Sequence, residues 1–127
     1  MNKQQSGFTL IELIMVIVVL GALAVVALPR YIDLQAQADQ AAVEGVAGAL
    51  AAGAAINYAG CVSGAACTNG AALDECAEVA ATLAGGAVPA GYTITGAFAG
   101  AQGDTEACVV THNASTLFAN FTAINPG

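Results

Sequence analysis

A chain of 127 residues with 57% hydrophobic and only 9% charged side chains has room for one small domain, not two. Its formal net charge is −7, from two basic side chains against nine acidic ones, so neutralising nucleic-acid phosphates is excluded for a single copy. Much of the apolarity outside the N-terminal region is alanine, and no run after Leu28 is both long and strongly apolar, so one membrane span at most is expected.

Met1 to Gly7 is a short polar leader carrying Lys3, and from Phe8 the chain stays largely apolar to Leu28. The exception is Glu12. A carboxylate at the centre of a membrane helix costs about 2.5–3.5 kcal/mol, and somewhat less near an end, so a plain anchor has no use for it. A cut between Gly7 and Phe8 would create an α-amino group four residues before Glu12. In a bundle of identical staggered helices, that amine on one copy reaches the carboxylate of the next. Removing one partner of such a pair in apolar surroundings costs about 3–5 kcal/mol, so the pair would fix register. Glu12 reads as an assembly device.

Gly7 followed by Phe8-Thr-Leu-Ile-Glu-Leu13, with Gly21 midway along the apolar stretch and Pro29 at its end, resembles the type IV pilin family. The segment Ala27-Leu-Pro-Arg-Tyr-Ile-Asp-Leu34 is similar to major pilins of the mannose-sensitive haemagglutinin kind. The strong resemblance covers about residues 4 to 40. It implies a prepilin peptidase that cuts between Gly7 and Phe8 and N-methylates Phe8. It implies assembly through Phe8 and Glu12, and loss of helicity between Gly21 and Pro29 as the subunit leaves the bilayer. The last point also has a local cause. Gly costs about 1 kcal/mol and Pro about 3 in a helix interior, and Pro29 leaves the carbonyl of Val25 without its donor.

Two plainer readings compete for this region. A secretory signal peptide would use Lys3, the apolar run and a small-x-small site at Ala22-Leu-Ala24. Glu12 spoils that reading, and so does an apolar run nearly long enough to span a bilayer, about 20 residues. A single-pass anchor leaves Glu12 and the Gly7–Phe8 junction unexplained. Lys3 fits a cytoplasmic N-terminus, but Arg30 balances it and orients the chain only weakly.

Past Pro29 the helical period resumes. Asp33, Gln37, Gln40 and Glu44 form a polar stripe, while Ala36, Val43, Val46, Leu50 and Ala54 lie on another face. The pattern predicts an amphipathic helix to about Tyr58, where Ala-Gly-Cys breaks it. The division expected is a cleaved leader over 1–7, a long helix over 8–58 and a head over 59–127. Residues 8–28 of the helix would serve membrane or filament core, and 29–58 would pack under the head.

Residues 59 to 70 read as a Gly/Ser/Ala loop. A short helix is predicted over about Ala72 to Leu83, with Asp74 and Glu75 at its N-terminal end and Gly85-Gly86 as the stop. Tyr92-Thr-Ile-Thr, Ala107-Cys-Val-Val-Thr and Leu117 to Ile124 read as strands, with the turn between the first two at Gly100 to Glu106. An antiparallel sheet of three strands or four, lying on the second half of the long helix, gives an α+β fold.

Cys61, Cys67, Cys76 and Cys108 all fall in the head. An even count in a small exported domain suggests two disulfides with three connectivities open. The pairing favoured is Cys61–Cys67 across a short loop and Cys76–Cys108 tying a helix to a strand. Zinc is opposed by the spacing and by His112 being the only histidine. No nucleophile–base constellation forms around His112, so no enzyme and no cofactor are expected. Asp104 and Glu106 are too few for a calcium site. The sequons at Asn113 and Asn120 are short enough to arise by chance.

The function expected is structural: a major pilin of a type IV pilus filament, supporting adhesion, surface attachment or motility. Its partners would be further copies of itself, the prepilin peptidase, an inner-membrane assembly platform and the membrane before assembly. It would start in the bacterial inner membrane and end outside the cell. A pseudopilin of a type II secretion system and a membrane-tethered binding module that never polymerises are the rival readings.

Overall fold

A computed structural model describes residues 7–65, 67–68 and 74–127. The elements in order are helix α1 (Leu10–Val62), a 3-10 helix (Cys76–Thr82), and strands β1 (Tyr92–Thr95), β2 (Thr105–His112) and β3 (Phe118–Ile124). The fold is α+β, a long N-terminal helix with a small antiparallel sheet. The chain divides into two compact units, Met1–Gln35 and Ala36–Gly127.

In the first unit the helix starts at Leu10 and stays helical through Gly21 and Pro29. Every described side chain in it is exposed. By length and composition α1 can cross a membrane.

In the second unit α1 buries Val43, Ala47, Leu50, Ala54 and Asn57, spaced alternately by four and three. That spacing keeps one stripe facing inward over four turns. Val46 packs at the margin of this stripe, and Ala36 is exposed. The opposing layer is the sheet, ordered β1-β2-β3 with both pairings antiparallel. Ile94, Cys108, Val110, Phe121 and Ala123 meet the helix stripe in one core.

The helix runs to Val62, four residues beyond the expected Tyr58. Gly60 lies inside it, and the stop comes at Gly64, which takes the left-handed φ of 72°. Ala65 N–H donates to Gly60 O at 3.0 Å and Gly64 N–H to Cys61 O at 3.2 Å. These two bonds form the Schellman end, which needs a residue at positive φ. A glycine inside a helix costs about 1 kcal/mol and does not end it.

The short helix is 3-10 rather than α; the expected start at Ala72 lies outside the described residues. Cys76 and Val79 are buried and Thr82 half-buried, a spacing of three that a three-residue turn stacks on one face. Glu78 Oε2 closes the N-terminal end by accepting from Asp74 N–H at 3.0 Å and Glu75 N–H at 3.3 Å. Gly53 lets this segment approach α1, since a Cβ there would overlap the Thr82 side chain. β1 coincides with the expected segment at Tyr92–Thr95, β2 starts two residues earlier than expected, at Thr105, and ends one later at His112, and β3 starts one residue later than expected, at Phe118. The loop from Gly100 to Asp104 is built on hydrogen bonds. Ala101 N–H donates to Asp104 Oδ2 at 2.8 Å, and buried Asn125 donates through Nδ2 to Gly100 O at 2.9 Å.

Candidate assembly site

The residues singled out near the N-terminus all lie in the first unit. Phe8 and Thr9 precede the helix and Glu12 sits in its first turn. Thr9 N–H donates to Glu12 Oε2 at 2.9 Å, and Thr9 Oγ1 donates to the same oxygen at 2.7 Å. Glu12 N–H in turn lies 3.3 Å from Thr9 Oγ1. This is a capping box, in which a threonine and a glutamate three residues later satisfy amide donors that a helix start leaves open. The signal, Thr-x-x-Glu, is legible in the sequence, but the reading of Glu12 as an intermolecular group passed over it. Thr9 is therefore a positioning residue that the sequence reading missed.

The box has a chemical consequence. Both bonds from Thr9 end on Oε2, and among the described residues Oε1 accepts none. A carboxylate has about four acceptor positions on its two oxygens. Glu12 is thus held in one orientation with an oxygen open for a cationic donor.

From Leu13 to Leu28 the helix carries no polar side chain. The large apolar side chains from Leu13 to Leu28 are between 41% and 74% exposed. A contiguous apolar surface of this extent on a single chain marks a region that another molecule or a bilayer covers. Gly21 faces open space within 4 Å, and Pro29 lies within the helix.

The cysteines belong to the second unit. Cys61 and Cys67 are joined with a Cα separation of 4.8 Å, and Cys76 and Cys108 with one of 5.8 Å. The first closes the chain just past α1, where Thr68 N–H donates to buried Asn57 Oδ1 at 2.8 Å. The second lies at the core, with both residues fully buried. His112 Nδ1 is 2.7 Å from Ser115 Oγ, and its ring lies 5.0 Å from that of Tyr92. That hydrogen bond and ring contact describe a hairpin packing group. Among the described residues no three His, Cys, Asp or Glu side chains come together as a metal site.

Residues 2–28 match the prokaryotic N-terminal methylation motif. The type IV narrow pilus major component of Thermus thermophilus is 51% identical over 51 residues, covering 40% of this chain and 44% of that protein. A type IV major pilin of Neisseria gonorrhoeae is 60% identical over 39 residues, 31% of this chain and 24% of its own length. The N-terminal segment of this chain is thus similar to that of type IV pilins. A type IV major pilin of Myxococcus xanthus is 46% identical over 39 residues, 31% of this chain and 18% of that one. The matches thus span less than half the length of each of these relatives. No solved structure matches the chain. The pilin likeness is one of the N-terminal segment, and the head is described by its own geometry alone.

Proposed function

We propose that this chain is the structural subunit, a major pilin, of a type IV pilus filament, polymerised through the first half of α1. One observation carries the reading: an apolar helix surface exposed along its length, starting at the Gly7–Phe8 junction and interrupted by one carboxylate, Glu12. Burying such a surface stabilises by about 25 cal/mol per Å². The apolar term holds helices together without fixing their offset, and a directional pair is needed to set it.

Glu12 supplies that pair. A prepilin peptidase cuts after Gly7 and methylates Phe8, and the freed amine of one copy meets the open Oε1 of the next. Loss of Lys3 with the leader leaves Arg30 as the only basic side chain. The Phe8 amine is then one of two cations on a strongly acidic chain. Gly21 and Pro29 bound a stretch with one helix-weakening residue at each end, which lets it unwind during extraction from the bilayer. In this division residues 1–7 are leader, 8–58 the assembly and packing helix, and 59–127 the head. The precursor sits in the inner membrane and the product is an extracellular filament raised by an assembly platform. The chain acts by assembling rather than by catalysis, and adhesion, surface attachment or motility follow from the filament.

The test is mass spectrometry of the chain recovered from sheared filaments. A mature N-terminus at N-methylated Phe8 is expected. A chain found only in membranes, or one starting near Val25 or Leu28, refutes the reading.

A further inference from the structure

Among the described residues the outer edge of β3 is open. The ends of the β2–β3 ladder fix its parity: His112 N–H donates to Leu117 O at 2.8 Å and Asn125 N–H to Asp104 O at 2.9 Å. With Cys108 opposite Phe121 and Val110 opposite Ala119, the backbone groups of Ala119, Phe121 and Ala123 turn toward β2. Those of Phe118, Asn120, Thr122 and Ile124 turn the other way. Among the described residues nothing pairs with them. At the far side of the sheet, β1 is only four residues long, and the chain beyond it is covered by the 3-10 helix entry, where Cys76 N–H donates to Gly96 O.

Natural sheets blunt a free edge with charge, proline, a bulge or brevity. β3 has seven residues and carries no charged side chain, no proline and no glycine. Beside it lies a groove of about 440 Å³ whose α1 wall is formed by Glu44, Ala47, Gly48 and Ala51, three of the four being small residues.

We infer that the β3 edge pairs with the β3 edge of a second copy of this chain, antiparallel and about a two-fold axis at Phe121, joining two heads into one six-stranded sheet. The occupant follows from the sequence of the edge. Only the register centred on Phe121 pairs all four outward residues, Phe118 with Ile124 and Asn120 with Thr122 of the other copy, each twice. It sets apolar beside apolar and polar beside polar, with no charge opposed. Phe118 is 59% exposed in the single chain, and Ile124 of the second copy would lie within cross-strand reach, about 4.5–5.5 Å between Cβ atoms.

A two-fold pair is isologous, whereas subunits of one polar filament are related head to tail. The two heads therefore belong to different, oppositely directed filaments, and the edge is a lateral bundling surface. The pairing goes beyond the assembly reading and does not need it; only the bundling consequence does.

The experiment follows edge amide exchange by NMR on the isotope-labelled full chain in detergent, at low and high protein concentration. Exchange of Asn120 and Thr122 N–H is expected to slow at least tenfold on concentrating the chain. Asn120→Pro removes one outward donor and no bond to β2, and should abolish the slowing with an unchanged melting temperature; Asn120→Ala should retain it. Sheared filaments should lie in bundles for wild type and singly for Asn120→Pro. Concentration-independent exchange in the wild-type chain overturns the inference, as does an Asn120→Pro variant that folds and behaves like wild type. Absence of filaments with concentration-dependent edge protection refutes the assembly reading and leaves the pairing standing.

Discussion

The two disulfides differ enough in loop length and burial to make their contributions separable. Cys76–Cys108 closes 32 residues and Cys61–Cys67 closes six. In the chain-entropy treatment these loops remove about 3.7 and about 2.2 kcal/mol of unfolded-state freedom. The difference is about 1.5 kcal/mol. Burial acts in the same direction, because Cys76 and Cys108 are fully enclosed, and replacing both with alanine also leaves unfilled volume. For a unit of this size each kcal/mol shifts the melting temperature by about 4–8 °C. The Cys76→Ala/Cys108→Ala double variant should therefore melt at least about 6 °C below Cys61→Ala/Cys67→Ala, and both below the parent. Scanning calorimetry of the full chain in detergent reads the head transition directly. If the two double variants melt together, or the short-loop variant melts lower, the placement of the second bridge as the main staple of the core is wrong.

The assembly pair and the helix cap separate by substitution. Glu12→Gln keeps the capping geometry but loses the charge and should stop filament formation, whereas Thr9→Val loses about 1 kcal/mol of cap and should only reduce the yield of sheared filaments. Asn125→Ala strips partners from Gly100 O and Gly127 N–H and should lower head stability by about 1–3 kcal/mol, measured by denaturant titration. Gly48→Ala meets open space and should stabilise by up to about 1 kcal/mol. Gly53→Ala overlaps Thr82 and should destabilise by about 1–3 kcal/mol, and equal melting temperatures for these two variants would falsify the close approach of the 3-10 helix to α1.

The long helix, the three strand segments and the α+β class are legible in the sequence because each rests on a period that one face imposes. Helix ends are harder. Gly60 and Gly64 look alike in sequence, and the choice between them depends on which takes positive φ with the Schellman bonds satisfied. The 3-10 helix was also hidden, since its three-residue period is set by where Cys76 and Val79 meet the core, a tertiary fact. At the candidate site, Phe8, Glu12, Gly21 and Pro29 could be named from the chain alone. Thr9 could have been, by the spacing of a capping box. The open β3 edge could not, because strand order and ladder parity appear only when the sheet is assembled.

Capping and the proposed assembly role make compatible demands on Glu12, and the geometry explains why. A carboxylate free to rotate near a helix start would lose side-chain entropy on meeting a neighbouring amine, a cost of up to about 1.5–2 kcal/mol for glutamate. Thr9 already fixes that side chain through two short bonds to Oε2. The entropy is lost during folding of the single chain, where satisfied helix amides offset it. If Glu12 pairs as proposed, what remains at assembly is the meeting of an oriented oxygen with an amine in an apolar bundle. The same bonds also shelter the carboxylate before assembly, when no partner copy is in place. A group that must wait in a hydrophobic setting and then pair in one geometry is served by a local donor that occupies half of its acceptor capacity and leaves the other half pointed outward.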